Sequence, residues 1–343
     1  MNQPSSLWNR MRAWMQAVAA LLWLYGAQKL ATHGAAGLVQ EQWNPLVEQA
    51  MLVFLLLLGY ASFGLVYNRQ FQPVSAQGLP LRSGWIEEAG LGLAAGWGLA
   101  VACVIPLALI GGIAIRLDLS LSAWGWLLAD LCFFALLALA EEVAFRGYGF
   151  QRLLDGFGTV GAVLVFAALY AIIESHRPGS TRISVAVSFV LSLALSTAYL
   201  RTRALWVGWG MNFAWKASRA LLFGLAVSGD NTHSSVLQGD PTGPFWLTGG
   251  GFGLDGTWLA FIALLLVTPL VYRLTRELDF QYNAPVIVPG GIAVDLDAAA
   301  RQQHEAAMGD REPAAPGLVQ ILSVGAPANS TQFIPEKGST ESR

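Results

Sequence analysis

The chain has little charge for its length. Of its 343 residues, 12% are charged and 55% are hydrophobic, and the mean hydropathy is +0.50. Soluble globular domains carry about twice that charged fraction, so the composition excludes an ordinary soluble domain and predicts an all-α integral membrane protein. Twenty Lys and Arg residues stand against 22 Asp and Glu residues. This balance lacks the basic excess of a nucleic-acid-binding protein.

Cysteine and the common cofactor motifs are also scarce. The two cysteines, Cys103 and Cys132, both lie in apolar segments, where a disulfide framework is not expected. No CxxC or HExxH spacing occurs, and no repeat of fixed period is found. The stretch LTGGGFG follows no predicted strand and precedes no Lys-Ser/Thr pair, so it is not a phosphate-binding loop. We therefore expect no nucleotide cofactor, and the sequence leaves open whether a divalent metal binds.

Long apolar runs dominate what is present. A membrane-spanning helix needs about 20 mostly apolar residues, and about eight segments meet this requirement. They are Ala13 to Thr32, Ala50 to Tyr67, Ala89 to Ile115, Ser122 into the glutamate motif, Phe157 to Ile173, Ile183 to Leu200, Ala204 to Ser228, and Thr257 to Leu274. The first contains Gln16, Gln28 and Lys29 and suits an interfacial helix nearly as well. The third is expected to kink at Pro106 or at the glycine pair 111–112.

The loops predict an orientation and a division of the chain. Arginines concentrate at alternate ends of the apolar segments, and this bias predicts that both termini are cytoplasmic. We expect the membrane to be a bacterial inner membrane. The N-terminus shows no clean cleavage site and predicts an anchor helix rather than a cleaved signal. Residues 1–83 are predicted to form N-terminal membrane helices. Residues 84–278 are predicted to form a helical membrane core with a polar cavity inside the membrane. Residues 279–343 are predicted to form a polar, flexible tail with a short helix near 293–308.

Two glutamates and an arginine follow the fourth apolar run, in the stretch AEEVAFRGYGF. A charged side chain in mid-bilayer costs about 3 kcal/mol or more, and such residues are functional candidates. Glu142 and Arg146 are four residues apart and share a helix face, whereas Glu141 is rotated to an adjacent face. One carboxylate can therefore pair with the arginine while the other stays free. Alternatively, the motif marks the helix end, with its charges among the lipid headgroups, but apolar and aromatic residues continue to Phe150.

The segment EEVAFRGYGFQRL resembles the EExxxR signature of the CPBP membrane proteases, which include the type II CAAX prenyl endopeptidases and bacterial immunity or bacteriocin-processing (Abi-like) relatives. Later segments, LVFAALYAIIESHRPG, ALWVGWGMNFAWKASRALLFGLAVSG and GPFWLTGGGFGLDG, resemble this family in order and spacing, so the resemblance covers about Gly84 to Leu274. It implies a helical membrane core in which a glutamate activates water. A histidine of an FxxxH motif and a histidine and an asparagine of an HxxxN motif complete the implied site.

The chain departs from the family at both later motifs. Tyr170 takes the aromatic position of FxxxH and Glu174 takes its histidine, whereas Asn212 and Lys216 replace the histidine and asparagine of HxxxN. The catalytic set that the resemblance implies is Glu141, Glu142, Arg146, Glu174, Asn212 and Lys216. The predicted substrate contacts are the aromatic residues Phe145, Tyr170 and Trp215.

The replacements raise two structural questions. Because either charge alone would be costly to bury, we expect Glu174 and Lys216 to compensate each other within hydrogen-bonding reach. His176 lies two residues beyond Glu174 and could replace the missing histidine only if the loop folds back. The alternative is a solvated loop histidine.

Three functions follow from these observations. The first is an endopeptidase that cleaves lipidated or membrane-bound peptides with glutamate-activated water. The second is a catalytically inactive family member that serves as a scaffold or subunit of a membrane complex. The third is a transporter, but the sequence shows no inverted-repeat symmetry to support it. The expected partners are the lipid bilayer and a membrane-bound peptide or complex, with no nucleic acid.

Overall fold

The computed structural model describes residues 7–69, 72, 74–117, 120–233, 236–276 and 278. Helices make up most of this part of the chain. Those of ten residues or more are α1 (Leu7–Leu38), α2 (Asn44–Asn68), α3 (Trp85–Leu109), α4 (Leu121–Arg146), α5 (Tyr148–Ser175), α6 (Arg182–Thr202), α7 (Trp206–Ala217) and α9 (Trp258–Leu274). A four-residue helix, α8 (Phe245–Thr248), precedes α9. The predicted tail, 279–343, lies outside the described residues.

The helices fit a membrane protein, although the predicted number of spans is only partly supported. Each of the eight apolar segments corresponds to one of the longer helices. The seventh was predicted to extend to Ser228, which is wrong, because α7 ends at Ala217 and the helical turn after it ends at Leu222. By length and composition, four helical stretches among the described residues qualify to cross a membrane, at 41–68, 85–109, 121–175 and 182–202. The third of these contains both α4 and α5, and α9 is a shorter apolar helix. The structure thus supports a helical integral membrane protein without confirming eight crossings.

The third predicted helix ends earlier than expected, and a small sheet follows it. Gly111 adopts a left-handed conformation (φ 73°), and the N–H of Gly112 donates to the carbonyl of Leu107 at 2.8 Å, which closes the helix end. Residues Ile113–Leu117 then form strand β1, which pairs antiparallel with β2 (Leu237–Pro241). The helical prediction through Ile115 is therefore wrong, because the glycine pair terminates α3 instead of kinking it.

A backbone break divides α5 into a short first part and a longer second part. Gly158 has φ 76° and ψ 178°, a region that is essentially restricted to glycine. An ideal Cβ at this position would meet no atom within 4 Å, so backbone conformation rather than crowding favours glycine. The second part carries Tyr170 and Glu174 and runs beside the end of α4, where the glutamate motif lies.

Close packing of α7 against α3 positions the other polar residues. Ideal Cβ atoms on Gly92 and Gly96 would each lie 2.2 Å from backbone carbonyl oxygens of α7, those of Val207 and Met211. Small residues allow helix backbones to approach in this way. The contact fixes the rotation of α7, which buries Asn212 and Lys216 inside the molecule.

Candidate active site

Glu141 is the centre of a hydrogen-bonded cluster drawn from three helices. Its Oε2 atom accepts hydrogen bonds from the Tyr170 hydroxyl at 3.0 Å and from Nδ2 of Asn212 at 2.8 Å. Its Oε1 atom accepts from the ammonium group of Lys216. The structure therefore brings together a carboxylate, a carboxamide, a phenol and an ammonium group. The carboxylate that was expected to stay free has three donors.

Glu142 and Arg146 form a separate, fully buried ion pair on the adjacent face of α4. The distance from Arg146 Nη1 to Glu142 Oε1 is 3.2 Å, and both side chains have no exposed surface. Arg146 also donates through Nη2 to the side chain and carbonyl of Ser192 on α6, at 2.9 and 3.2 Å. An ideal Cβ on Gly208 would lie 2.5 Å from Glu142 Oε2. This pair therefore joins α4 to α6 and α7.

Glu174 has a different partner from the one predicted. Its Oε2 atom lies 3.1 Å from Nε of Arg177, at the start of the following loop, whereas Lys216 pairs with Glu141. The prediction of a direct Glu174–Lys216 pair is wrong, because each residue pairs with a different opposite charge. His176 is exposed, and its Nδ1 atom lies 2.8 Å from the carbonyl of Ile172. It contacts the end of its own helix and does not join the Glu141 cluster.

Two of the three predicted aromatic contacts face a cavity beside Glu141. The rings of Phe145 and Tyr170 meet edge to face, with centroids 4.9 Å apart, and both line the cavity. Trp215 is fully buried and donates from Nε1 to Asp255 Oδ1 at 3.3 Å. The guanidinium group of Arg219 covers its ring at 4.0 Å from the centroid. A substrate contact at Trp215 is thus contradicted by its complete burial.

The cavity has a volume of about 620 Å³ and draws its walls from α1 and α2 as well as α4 and α5. Glu141, with 14% of its side chain exposed, lies on one wall. Glu174, Arg177 and Glu48 of α2 also line the cavity. Helices from both the predicted N-terminal part and the predicted core therefore enclose it.

Sequence reasoning missed several residues of this region. Arg219, just beyond the end of α7, and Asp255 form a buried ion pair at 2.7 Å. Outside this region, Asp130 of α4 lies 3.7 Å from Nδ1 of His233. The contact of Ser192 with Arg146 was not predicted, because a serine in an apolar helix does not by itself indicate a partner. In the described part of the chain, no group of three or more His, Cys, Asp or Glu residues is arranged to hold a metal ion.

The fold and the site define a helical integral membrane protein with a polar, carboxylate-centred site buried among its helices. Residues 123–218 match the family model described as type II CAAX prenyl endopeptidase Rce1-like. This segment therefore carries a domain of the CPBP family, as the sequence resemblance predicts. It covers under a third of the chain but includes every residue of the implied catalytic set. Comparison with curated proteins and with solved structures gave no match.

Proposed function

We propose that the protein is a membrane-embedded endopeptidase that cleaves lipidated or membrane-bound peptides with water activated by Glu141. The matched family is of the membrane CAAX protease type. The observation that carries the proposal is the position of Glu141, because its partly exposed carboxylate lines a cavity large enough for a peptide segment. A buried carboxylate needed only for stability would not require such a cavity.

Glu141 has the capacity to act as a base. A carboxylate has about four lone-pair sites, and three are occupied by Tyr170, Asn212 and Lys216. The remaining site can accept a hydrogen bond from water. In the proposed step, Glu141 takes a proton from water as the water oxygen attacks the peptide carbonyl carbon. The carboxylic acid then returns this proton to the leaving amine when the C–N bond breaks, so the glutamate performs both transfers without an imidazole.

Lys216 supplies the donor that such a reaction needs. Its ammonium group has three N–H donors, and Glu141 occupies one of them. The tetrahedral intermediate carries a negative oxygen, which preorganised donors stabilise strongly in a site that excludes water. Lys216, at the position of the asparagine of HxxxN, therefore supplies the oxyanion donor in the proposed reaction.

A catalytically inactive scaffold or complex subunit is the second candidate. The three donors on Glu141 favour it, because hydrogen bonds to a carboxylate stabilise its charged form and weaken it as a base. Both family histidines are also replaced, by Glu174 and Asn212. In this case the cavity binds a peptide of a partner membrane protein without cleaving it.

Cleavage by the purified full chain in lipid nanodiscs distinguishes the two functions. Fluorogenic membrane peptides, including a farnesylated CAAX peptide, serve as substrates. We expect Glu141→Gln to lower the cleavage rate by about 10²-fold or more, because it removes the general base. Glu87→Gln, a change at an exposed glutamate of α3, is the matched control and should cleave normally. Undiminished cleavage by Glu141→Gln would disprove this mechanism, and absence of cleavage by the unaltered chain on every substrate would favour the scaffold.

A further inference from the structure

The lining of the cavity beside Glu141 contains several hydrogen-bond acceptors, which come largely from the N-terminal helices. Glu48 of α2 accepts hydrogen bonds at Oε1 from Gln28 at 2.7 Å and from Thr32 at 2.8 Å. Gln28 and Gln49 line the cavity together with Glu48 and Glu174. The α1–α2 pair thus contributes a carboxylate and two amides to a cavity that also contains the proposed base.

The charges on the cavity wall do not balance. Lys216 compensates Glu141 and Arg177 compensates Glu174. Glu48 is the third carboxylate of the lining, and among the residues that the structure describes no Lys, Arg or His pairs with it. The wall therefore carries one uncompensated negative charge.

Unused acceptors accompany this charge. Oε1 of Glu174 and Oε1 of Gln49 are both buried and accept no hydrogen bond, and Glu174 as a whole is only 6% exposed. A buried acceptor without a donor costs about 1–3 kcal/mol. A ligand that brings several N–H donors and a positive charge would remove both penalties, whereas a neutral or anionic ligand would not.

The rest of the cavity is apolar. Leu21 and Leu24 of α1, Leu52 of α2, and Phe145 and Leu169 line it. A ligand that fits both parts has a cationic group beside apolar groups. We propose that the cavity is a subsite for a basic side chain, lysine or arginine, within an otherwise apolar peptide segment. This inference rests on the proposed function, because it identifies the peptide that Glu141 would meet.

Peptide binding to the full chain in phosphatidylcholine nanodiscs tests the inference independently of cleavage. The probe is an amidated Leu-Leu-Lys-Leu-Leu peptide with a fluorescent dansyl group on its N-terminus, compared with versions that carry norleucine or glutamate in place of lysine. Signal from empty nanodiscs is subtracted. We expect the lysine peptide to bind about tenfold more tightly than the norleucine peptide, which is typical of a charge-assisted hydrogen bond.

Variants of the cavity residues test which side chains cause the preference for the lysine peptide. Glu48→Gln should bring the lysine and norleucine affinities to near equality, and Glu48→Lys should reverse the preference towards the glutamate peptide. Glu41→Gln changes an exposed glutamate just before α2 and should leave the preference intact. Because Glu48 also links α1 to α2, Gln49→Leu serves as a second variant that preserves this link and should weaken lysine-peptide binding several-fold.

The outcomes separate this inference from the proposed function. Equal or tighter binding of the norleucine peptide by the unaltered chain would overturn the inference, as would an equal effect of Glu41→Gln and Glu48→Gln. A lysine preference that depends on Glu48 supports it even when no peptide is cleaved, in which case only the peptidase proposal fails.

Discussion

At the scale of single residues, the charged side chains that are buried in the described part of the chain lie in pairs of opposite charge. Glu142 with Arg146 and Asp255 with Arg219 are almost wholly removed from solvent, and Glu141 with Lys216 is largely so. Removing one partner of such a pair leaves an uncompensated buried charge, which is far more costly than replacing both by apolar groups. The residues of the EExxxR motif therefore have different positions: Glu142 and Arg146 join helices, whereas Glu141 faces the cavity.

The buried Glu142–Arg146 ion pair predicts the effect of changing Glu142. Glu142→Gln should lower the free energy of unfolding by about 3–5 kcal/mol, because Arg146 keeps its charge without a carboxylate. The joint change Glu142→Leu with Arg146→Met should cost less than the single change. Reversible unfolding in mixed micelles measures both, with Glu87→Gln as the control. A Glu142→Gln protein as stable as the Glu87→Gln protein would contradict a structural role for the pair.

At the scale of secondary-structure elements, the contact between α3 and α7 holds the site together. Asn212 and Lys216 reach Glu141 only because α7 packs with its backbone against α3, at Gly92 and Gly96. Packing by small residues needs no polar contact and depends on the absence of a Cβ atom. The geometry of the Glu141 cluster is thus sensitive to uncharged changes in the contact between α3 and α7.

Two glycines of α3 provide a matched test of this contact. Gly96→Ala adds a methyl group 2.2 Å from the carbonyl oxygen of Met211, whereas Gly98→Ala adds one that meets nothing within 4 Å. Alanine is the better helix former by about 0.5–1 kcal/mol, so Gly98→Ala should be neutral or stabilising. Gly96→Ala should be destabilising despite the same gain, and should also reduce any activity that depends on Lys216. Equal thermal stability of the two variants would show that α3 and α7 are not in close contact.

At the scale of the whole molecule, the orientation in the membrane remains a prediction from the arginine distribution. The loop that contains Thr232 should face away from the cytoplasm, and the α2–α3 connection that contains Gln72 should face the cytoplasm. Both residues are exposed. With Cys103 and Cys132 replaced by alanine, we expect Thr232→Cys to react with a membrane-impermeant maleimide in intact cells. Gln72→Cys should react only after permeabilisation, and the reverse pattern would invert the proposed topology.

The sequence predicted the helices better than the contacts between them. The apolar segments fall on the longer helices, and the four-residue spacing of Glu142 and Arg146 predicted a shared face that the structure shows as an ion pair. The prediction of a direct Glu174–Lys216 pair was wrong, because the direct partners of these residues are Arg177 and Glu141. Trp215 was misjudged because an aromatic residue in an apolar helix has the same pattern whether it faces a cavity or the core.

The sequence by itself determined that this is a helical membrane protein that carries an EExxxR motif, because apolar run length and residue spacing along a helix are local properties. Only the tertiary structure decided that Glu141 rather than Glu142 faces the cavity and that Lys216 is its partner. It also decided that α1 and α2 supply Glu48 and Gln49 to the same space. Such contacts depend on the rotation and approach of helices distant in sequence, which close packing sets and residue spacing within one segment does not record.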